Sequence, residues 1–523
     1  MIHVNHGGSI ERIRSVVIVG GSVAGWLAAA TLAKLLKRNF CTVSLVEPPR
    51  PSDDSFSAVA LPSFHRLNSL LGIDERDLLQ RTCGTFSLGA EFADWGRNGD
   101  RYFHTFGSIG TRLDAVPFHH YWLKLRPWSD STLEEYSTAS AAAVQGRFAP
   151  PTSERTSFLS SYSYGYHFQA GLLTAYLREY ALDHGVTRIQ GDVVQVLLRA
   201  QDGFVDRLQL SDGSFLAADL YIDCVGPRGQ LFQRVLNSGY EDWSHWLPCD
   251  RSVSVLCRGT LDLPPCSKVT ARRSGWSWRT PLQHYLDYGQ VYSSRFTSDD
   301  AAVAMLLAEL PGTALVEPRR LDWSPGRPAK FWDRNCLSLA GCERDPLEST
   351  GLHRVQTGIT RLVTLFPVGL FSPDDIDEYN RLTTLEWERI RDFLILHHKA
   401  TTRDDSPFWE HCRHVQVPDT LNAKLELFQS CGRFAMFDEE HFGEDSWLAV
   451  FLGQGISPRD HDPLADVLDI EEAKDALSRM RSMIRDGVNT MPTLRQYIER
   501  YCPSKPDLLR AGLALSDQSQ PPP

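Results

Sequence analysis

The pattern of apolar and polar positions is sharpest near the N-terminus. Val16-Val17-Ile18-Val19 is a short, β-branched, uniformly apolar run, which predicts a strand covered on both faces. A glycine turn follows, and Trp26 to Leu36, rich in Ala and Leu, predicts a helix. The next apolar strand, Thr42 to Val46, ends at Glu47. Further on, Pro62 to Leu71 places Phe64, Leu67 and Leu71 on one helical face, and Thr85 to Trp95 alternates as a strand does. Phe168 to His184 is a helix striped by Leu172, Leu173, Tyr176, Leu177 and Tyr180. Val193–Leu198 and Val205–Leu210 read as hairpin strands leading to the Asp212-Gly213 turn, and Ala218 to Asp223 reads as a strand that runs into a glycine-containing turn.

From Ser252 to Phe296 the pattern predicts an antiparallel sheet, and Cys336 to Gly351 a strand, a loop and a helix start. Ser372-Pro373-Asp374 opens a helix with Ser as N-cap and Pro in its first turn. Ile376, Tyr379, Leu382, Trp387, Ile390, Phe393 and Leu394 form the buried side of that helix, and the chain is mostly helical thereafter. Ser129 to Arg155, rich in Ser and Ala and carrying Pro150-Pro151, reads as an excursion over the surface.

Composition narrows the classes. With 523 residues, 42% hydrophobic and 23% charged, the chain suits one large domain or a few closely packed ones. A net charge of −11 and the lack of a basic stripe argue against nucleic acid as a partner. No run approaches the ~20 apolar residues of a membrane span, and Met1 to Arg14 lacks an apolar signal core. The 11 cysteines are dispersed, without a Cys-x-x-Cys pair, which predicts reduced structural thiols in a cytoplasmic protein and no metal site.

The first strand, turn and helix carry candidate chemistry. Gly20, Gly21, Ser22, Ala24 and Gly25 lie where a dinucleotide-binding unit turns from strand to helix, and Glu47 ends the second strand 22 residues beyond Gly25. In such a unit the pyrophosphate rests on the helix N-terminus and the carboxylate takes a ribose hydroxyl. Ser22 stands where the second motif glycine is expected, and its Cβ hinders close approach of the backbone to pyrophosphate. Asp223 and Gly226, at a second strand end, are expected near the same cofactor. The aromatic stretch around Phe103-His104, with Trp447 from the later helical part, is the candidate wall for a flat ligand.

Later segments are more specific. Gly275-Trp276-Ser277-Trp278-Arg279-Thr280-Pro281 resembles the Trp-x-Trp-x-Ile-Pro signature of the flavin-dependent halogenases, the tryptophan-halogenase family, with Thr280 for Ile. Asp345-Pro346-Leu347-Glu348-Ser349-Thr350-Gly351 is similar to that family's Pro-Leu-Glu-Ser-Thr-Gly loop. Thr401 to Trp409, and Glu444 through Gly455, also match family-typical segments. The resemblance runs from about residue 14 to 500. It implies a mixed α/β fold of the FAD-dependent monooxygenase type, with a glutathione-reductase-like dinucleotide-binding unit, a β-rich substrate region and a mostly helical C-terminal part. The implied division is 12–371 for the FAD-binding domain with its substrate-side sheet (an excursion at about 100–155), 372–515 for a helical covering region, and 516–523 for a disordered tail.

The resemblance further implies FAD, delivered reduced by a separate flavin reductase, and chloride or bromide held near Ser349, Thr350 and Gly351. It gives Gly351 a place beside the cofactor, Glu348 a catalytic role, and Trp276 and Trp278 a place beside flavin or substrate. The implied substrate is an indole-like small molecule or a tryptophan-containing one, and a homodimer is open. The departures are equally informative. The family's relay lysine falls at Ser87, and no lysine occurs between Lys37 and Lys124. The family's Gly-Glu-Ala-Thr-x-Pro strap reads Ser57-Ala58-Val59-Ala60-Leu61-Pro62. A serine hydroxyl offers neither an amine nor a fixed charge. Three readings stand: an oxygenase or oxidase of an electron-rich aromatic, a halogenase in which Ser87, water or direct delivery replaces the lysine, and a non-catalytic binding protein of the same fold.

Overall fold

The computed structural model describes residues 12–508, apart from 38, 50–55, 114, 155, 226–234, 259–262, 340–345, 368, 370 and 506. The anticipated βαβ unit forms as Ser15–Val19, the helix Val23–Leu36 and Thr42–Glu47. Val16 to Val19 are all buried, because their sheet is covered on both faces. That sheet has six strands in the order Trp332–Asp333, Cys336–Ser338, Leu220–Asp223, Ser15–Val19, Thr42–Glu47 and Thr187–Gln190. All its pairings are parallel except at the Trp332–Asp333 edge. Val19 and Asp223 are register partners, so two strand ends meet beside the glycine turn.

The turn tolerates no side chain at its glycines. Gly20 sits at φ +119°, where L-residues are strained. A Cβ on Gly25 would lie 1.9 Å from the Gly20 carbonyl oxygen. Gly25→Ala should therefore destabilise the protein by about 3 kcal/mol, read as a fall in the calorimetric melting temperature.

The second large sheet carries the substrate side. Its core is Arg251–Arg258, Leu286–Tyr292, Gly275–Pro281 and Ser267–Arg272 in antiparallel order, continued by Gly89–Ala93 and Arg101–Thr105. The Ser267–Arg272 and Gly89–Ala93 strands run parallel. The single strand expected over Thr85–Trp95 is in fact broken. Thr85–Ser87 joins a small sheet with Gly165–Gln169 and Ser57–Ala60, whereas Gly89–Ala93 joins the large one. The switch turns on Gly89 at φ +132°, packed so closely on the neighbouring strand that a Cβ would sit 2.2 Å from the His104 carbonyl oxygen. Ser87 is thus placed at the seam of two sheets.

The surface excursion expected for Ser129 to Arg155 is corrected. It contains the helix Thr138–Val144, five of whose seven residues are buried. A small-residue Ala face packs closely against neighbours, and alanine content alone does not tell that from exposure. The helix Pro373–Lys399 begins as anticipated, with the Ser372 hydroxyl accepting from the Asp375 amide. Its C-terminal half, from Arg389 to His398, is buried throughout. The 516–523 tail lies outside the described residues. No helix among the described residues is long and apolar enough to cross a membrane.

Candidate active site

A cavity opens where the glycine turn, the small sheet and the large sheet meet. Val23, Ala58, Val59 and Ala170 line one part of it, and His104, Phe106 and Glu348 another. Ser87, Trp276, Trp278 and Asp287 also contribute to its wall. Residues from widely separated stretches of the sequence therefore share one space.

Glu348 is its most constrained residue. It follows Pro346 and Leu347 in a single helical turn and has φ +61°, with Ser349 at φ +54°. Two consecutive non-glycine residues in the left-handed region cost on the order of 1–3 kcal/mol each, which the surrounding packing must hold in place. The carboxylate is buried, with Oε2 2.7 Å from His104 Nδ1 and Oε1 2.7 Å from His397 Nε2. Burial opposes its ionisation, but the charge and hydrogen bond of His104, then those of His397, outweigh it. They hold the Glu348 pKa at about 2. The anion is permanent at neutral pH.

A hydrogen-bonded chain backs this pair. Gln454 Nε2 donates to the Tyr102 hydroxyl at 2.8 Å, and that hydroxyl lies 2.9 Å from His397 Nδ1. Having accepted from Gln454, Tyr102 gives its own proton to Nδ1, which leaves the proton of neutral His397 on Nε2, the nitrogen 2.7 Å from Glu348 Oε1. Burial lowers His397 below the usual imidazole value despite the pull of Glu348. It also raises Tyr102, which stays a phenol. His397 lies flat on Phe92 with ring centroids 4.7 Å apart, and Phe393 packs edge-on at 5.2 Å. These contacts fix the imidazole against rotation.

Ser87 is buried and lines the same cavity. Among the described residues its hydroxyl makes long contacts alone, 3.4 Å to the Gly89 amide and to the Gly89 carbonyl. Trp276 and Trp278 both reach the cavity, their rings 5.9 Å apart at 56°. Trp278 lies directly over Gly289, where a Cβ would come 2.1 Å from the indole. Its Nε1 donates to Asp287 Oδ2 at 3.1 Å.

The dinucleotide side fits a pyrophosphate-bearing cofactor in one respect and departs in another. Val23 in the first helical turn borders the cavity, and Gly21 lets the Glu47 side chain pack on the turn, since a Cβ there would lie 2.3 Å from Glu47 Oε2. Ser22 is buried as the N-cap, and its side chain makes no capping hydrogen bond. Ala24 and Gly25 are buried in the first turn. Glu47 is already engaged: Oε2 accepts from Trp26 Nε1 at 3.0 Å and Oε1 from Arg188 Nε at 2.5 Å. Ribose recognition by Glu47 would share these oxygens. Asp223 is fully buried, and its Oδ1 caps the Val225 amide at 2.9 Å, while Gly226 lies outside the described residues. Ser349 and Gly351 line the cavity, and Thr350, buried between them, is the N-cap of the helix Gly351–Thr364.

Two anticipated wall residues lie elsewhere. Strand alternation turns Phe103 away from His104, and it borders clefts on the opposite side under the Arg101 guanidinium, 5.7 Å from its ring. Trp447 is fully buried and does not line this cavity. It packs edge-on against Phe393 at 4.9 Å and donates to the Phe442 carbonyl at 3.2 Å. It supports the ring that supports His397. His397, Tyr102, Gln454 and Asp287 were not singled out from the sequence as site residues. Asp287 carried a signal, an acid in a strand, Leu286–Tyr292, that is buried at every position. All the described cysteines but Cys431 are buried.

Comparison with known proteins agrees with this geometry. A family model described as tryptophan halogenase matches residues 15–470. The tryptophan 7-halogenase KtzQ of Kutzneria sp. (strain 744) is 28% identical, over 94% of this chain and 98% of its own length. The structure of Xcc4156, a flavin-dependent halogenase from Xanthomonas campestris, superposes with a TM-score of 0.91 at 38% identity, over 95% of this chain and 99% of that one. BrvH, a flavin-dependent halogenase from Brevundimonas sp. BAL3, gives 0.89 at 39% identity, over 94% and 100%. A buried carboxylate between two histidines, set in a cavity that begins at a dinucleotide-type turn, thus belongs to a chain that is a member of the tryptophan halogenase family of flavin-dependent oxidoreductases.

Proposed function

We propose that the protein oxidises an electron-rich aromatic, indole-like substrate by electrophilic substitution, with Glu348 beside the reacting ring. The observation that carries this reading is the permanently ionised Glu348 carboxylate, lining the same cavity as Ser87 and the two tryptophans. Reduced FAD, supplied by a separate flavin reductase, would provide the electrons that activate dioxygen. Gly20, Gly21, Ser22, Ala24 and Gly25 would hold its pyrophosphate half, with Glu47 and Asp223 alongside.

The residues of this chain then do three things. The walls at Trp276, Trp278 and Phe106 exclude water and confine a flat ring. Glu348 stabilises the positive charge that builds on the ring when an electrophile adds. It then takes the ring proton, and a carboxylate of low basicity suffices because a protonated arene is a strong acid. With hypohalous acid as electrophile, the O–halogen bond breaks as the carbon–halogen bond forms, the ring C–H bond then breaks toward Glu348, and the departing hydroxide becomes water with the proton that Glu348 gives up on re-ionising. Ser349, Thr350 and Gly351 would supply the halide site.

The second reading, oxygenation of the same ring, is favoured by one observation. Ser87, at the relay position, has no amine to carry halogen. The experiment is product mass from purified protein with FAD, a flavin reductase, indole and either bromide or none. A bromide-dependent shift by one bromine supports halogenation. An added oxygen indifferent to bromide supports oxygenation. If FAD itself does not bind, both fail.

A further inference from the structure

Asp287 sits in the cavity wall, and among the described residues no charged group lies at hydrogen-bond distance from it. It lies on the Leu286–Tyr292 strand, opposite Thr280 and Leu256, and is fully buried. Oδ2 accepts from the Ser57 hydroxyl at 2.5 Å and from Trp278 Nε1 at 3.1 Å. Oδ1 is equally buried and has no hydrogen-bond partner among the described residues. A buried carboxylate oxygen left unpaired costs roughly 1–3 kcal/mol or more, so a fold keeps one where something else completes it. Both of the donors that hold it, Ser57 and Trp278, line the same cavity, as does Asp287.

We propose that Asp287 is a ligand-binding residue of this cavity, using Oδ1 to accept a hydrogen bond from the ring N–H of a planar heterocycle. The clip formed by Ser57 and Trp278 orients the carboxylate and leaves one oxygen for the occupant. It also ties the Ser57–Ala60 strand to the tryptophan strand, so occupancy is sensed on both sides of the cavity. Two sources offer this chemistry, the imide N–H of a flavin and the N–H of an indole-type substrate. The inference rests on the cavity being the binding site proposed above.

The environment makes the interaction pH-dependent. Burial pushes the Asp287 carboxyl up to about 6, against the hydrogen bonds from Ser57 and Trp278 and the charge of Arg319. The other titratable groups coupled to it are Cys257 on the Arg251–Arg258 strand and Tyr285, both raised by burial and neutral near pH 7. The carboxyl is protonated at pH 5 and ionised at pH 8, and only the anion is a strong acceptor. Affinity for the N–H ligand should therefore rise from pH 5 to pH 8, with a midpoint near 6. Because the folded value of about 6 lies above the ordinary 3.8, the ligand-free protein should lose stability as pH rises between those values, with little further change toward pH 8.

The test titrates FAD and, separately, indole into the wild type, Asp287→Asn and Ser57→Ala from pH 5 to 8, by flavin fluorescence and calorimetry. The asparagine oxygen keeps the clip, while its NH2 meets the ligand N–H donor to donor. A tenfold or greater loss at pH 8, with a flattened pH profile, is expected for one probe. Loss for FAD assigns the flavin imide, and loss for indole assigns the substrate. Ser57→Ala removes a donor to the anion and should move the midpoint upward, which keeps the inference testable if Asp287→Asn fails to fold. Unchanged affinity and pH profile for both probes would overturn it. Failure of wild-type protein to bind FAD at all would instead overturn the reading beneath it.

Discussion

Glu348→Gln is expected to lower turnover of an indole substrate at least 100-fold while FAD affinity stays within twofold. A 100-fold loss is about 2.7 kcal/mol of barrier, the scale on which removing one preorganised charge or donor falls. Gln fills the same volume but supplies no negative charge to a ring carrying positive charge, and no base for its proton. The carboxylate is preorganised by His104 and His397 at 2.7 Å each, and by Tyr102 and Gln454 behind them. A merely structural Glu348 would show itself differently, through a lower melting temperature with turnover per folded molecule retained. A second readout is acid stability. The folded pKa, about 2, lies below the ordinary carboxylate value of 4.5. The stabilisation is therefore complete above pH 4.5 and lost as pH falls toward 2. Glu348→Gln should remove that slope from the acid melting curve.

The sequence announced the frame of this site better than its interior. Val16 to Val19, the glycine turn and Glu47 follow one local rule each, and they fold as that rule predicts. The Trp276–Trp278 pair obeys period two and reaches the cavity as a pair. Phe103 follows the same rule: next to His104 in sequence, it faces the other side of the strand, so the two cannot share a wall. The seam at Ser87 depended on Gly89, whose positive φ divides one alternating run between two sheets. His397 comes from a helix 49 residues beyond Glu348, and no local pattern marks an imidazole whose partner is set by tertiary packing. Asp287 was legible only as an anomaly, because its meaning lies in Ser57, 230 residues away. Periodicity reports which face a residue takes. It does not report what that face meets.

Ser87→Lys is expected to give, or raise at least tenfold, bromide-dependent halogenated product from indole. The new side chain would leave the backbone at the seam beside Gly89 and enter a cavity already shared with Glu348 and His104. Burial there favours the neutral amine, and Glu348 favours the ammonium. Either form adds what serine lacks: a nucleophilic nitrogen to carry halogen, or a charged donor to orient hypohalous acid. Product mass with and without bromide, alongside FAD titration, decides the case. Gain of product would mean that Glu348 and the Ser349–Gly351 turn are competent and that relay alone was missing. If Ser87→Lys binds FAD normally and gains nothing, the fault lies between flavin and halide. The Ser57–Ala60 strand is then the place to look, since it lines the cavity and is tied through Ser57 to Asp287. Adding Ala58→Glu to Ser87→Lys would restore the family's acidic strap residue, and product appearing only in the double variant would locate the uncoupling there.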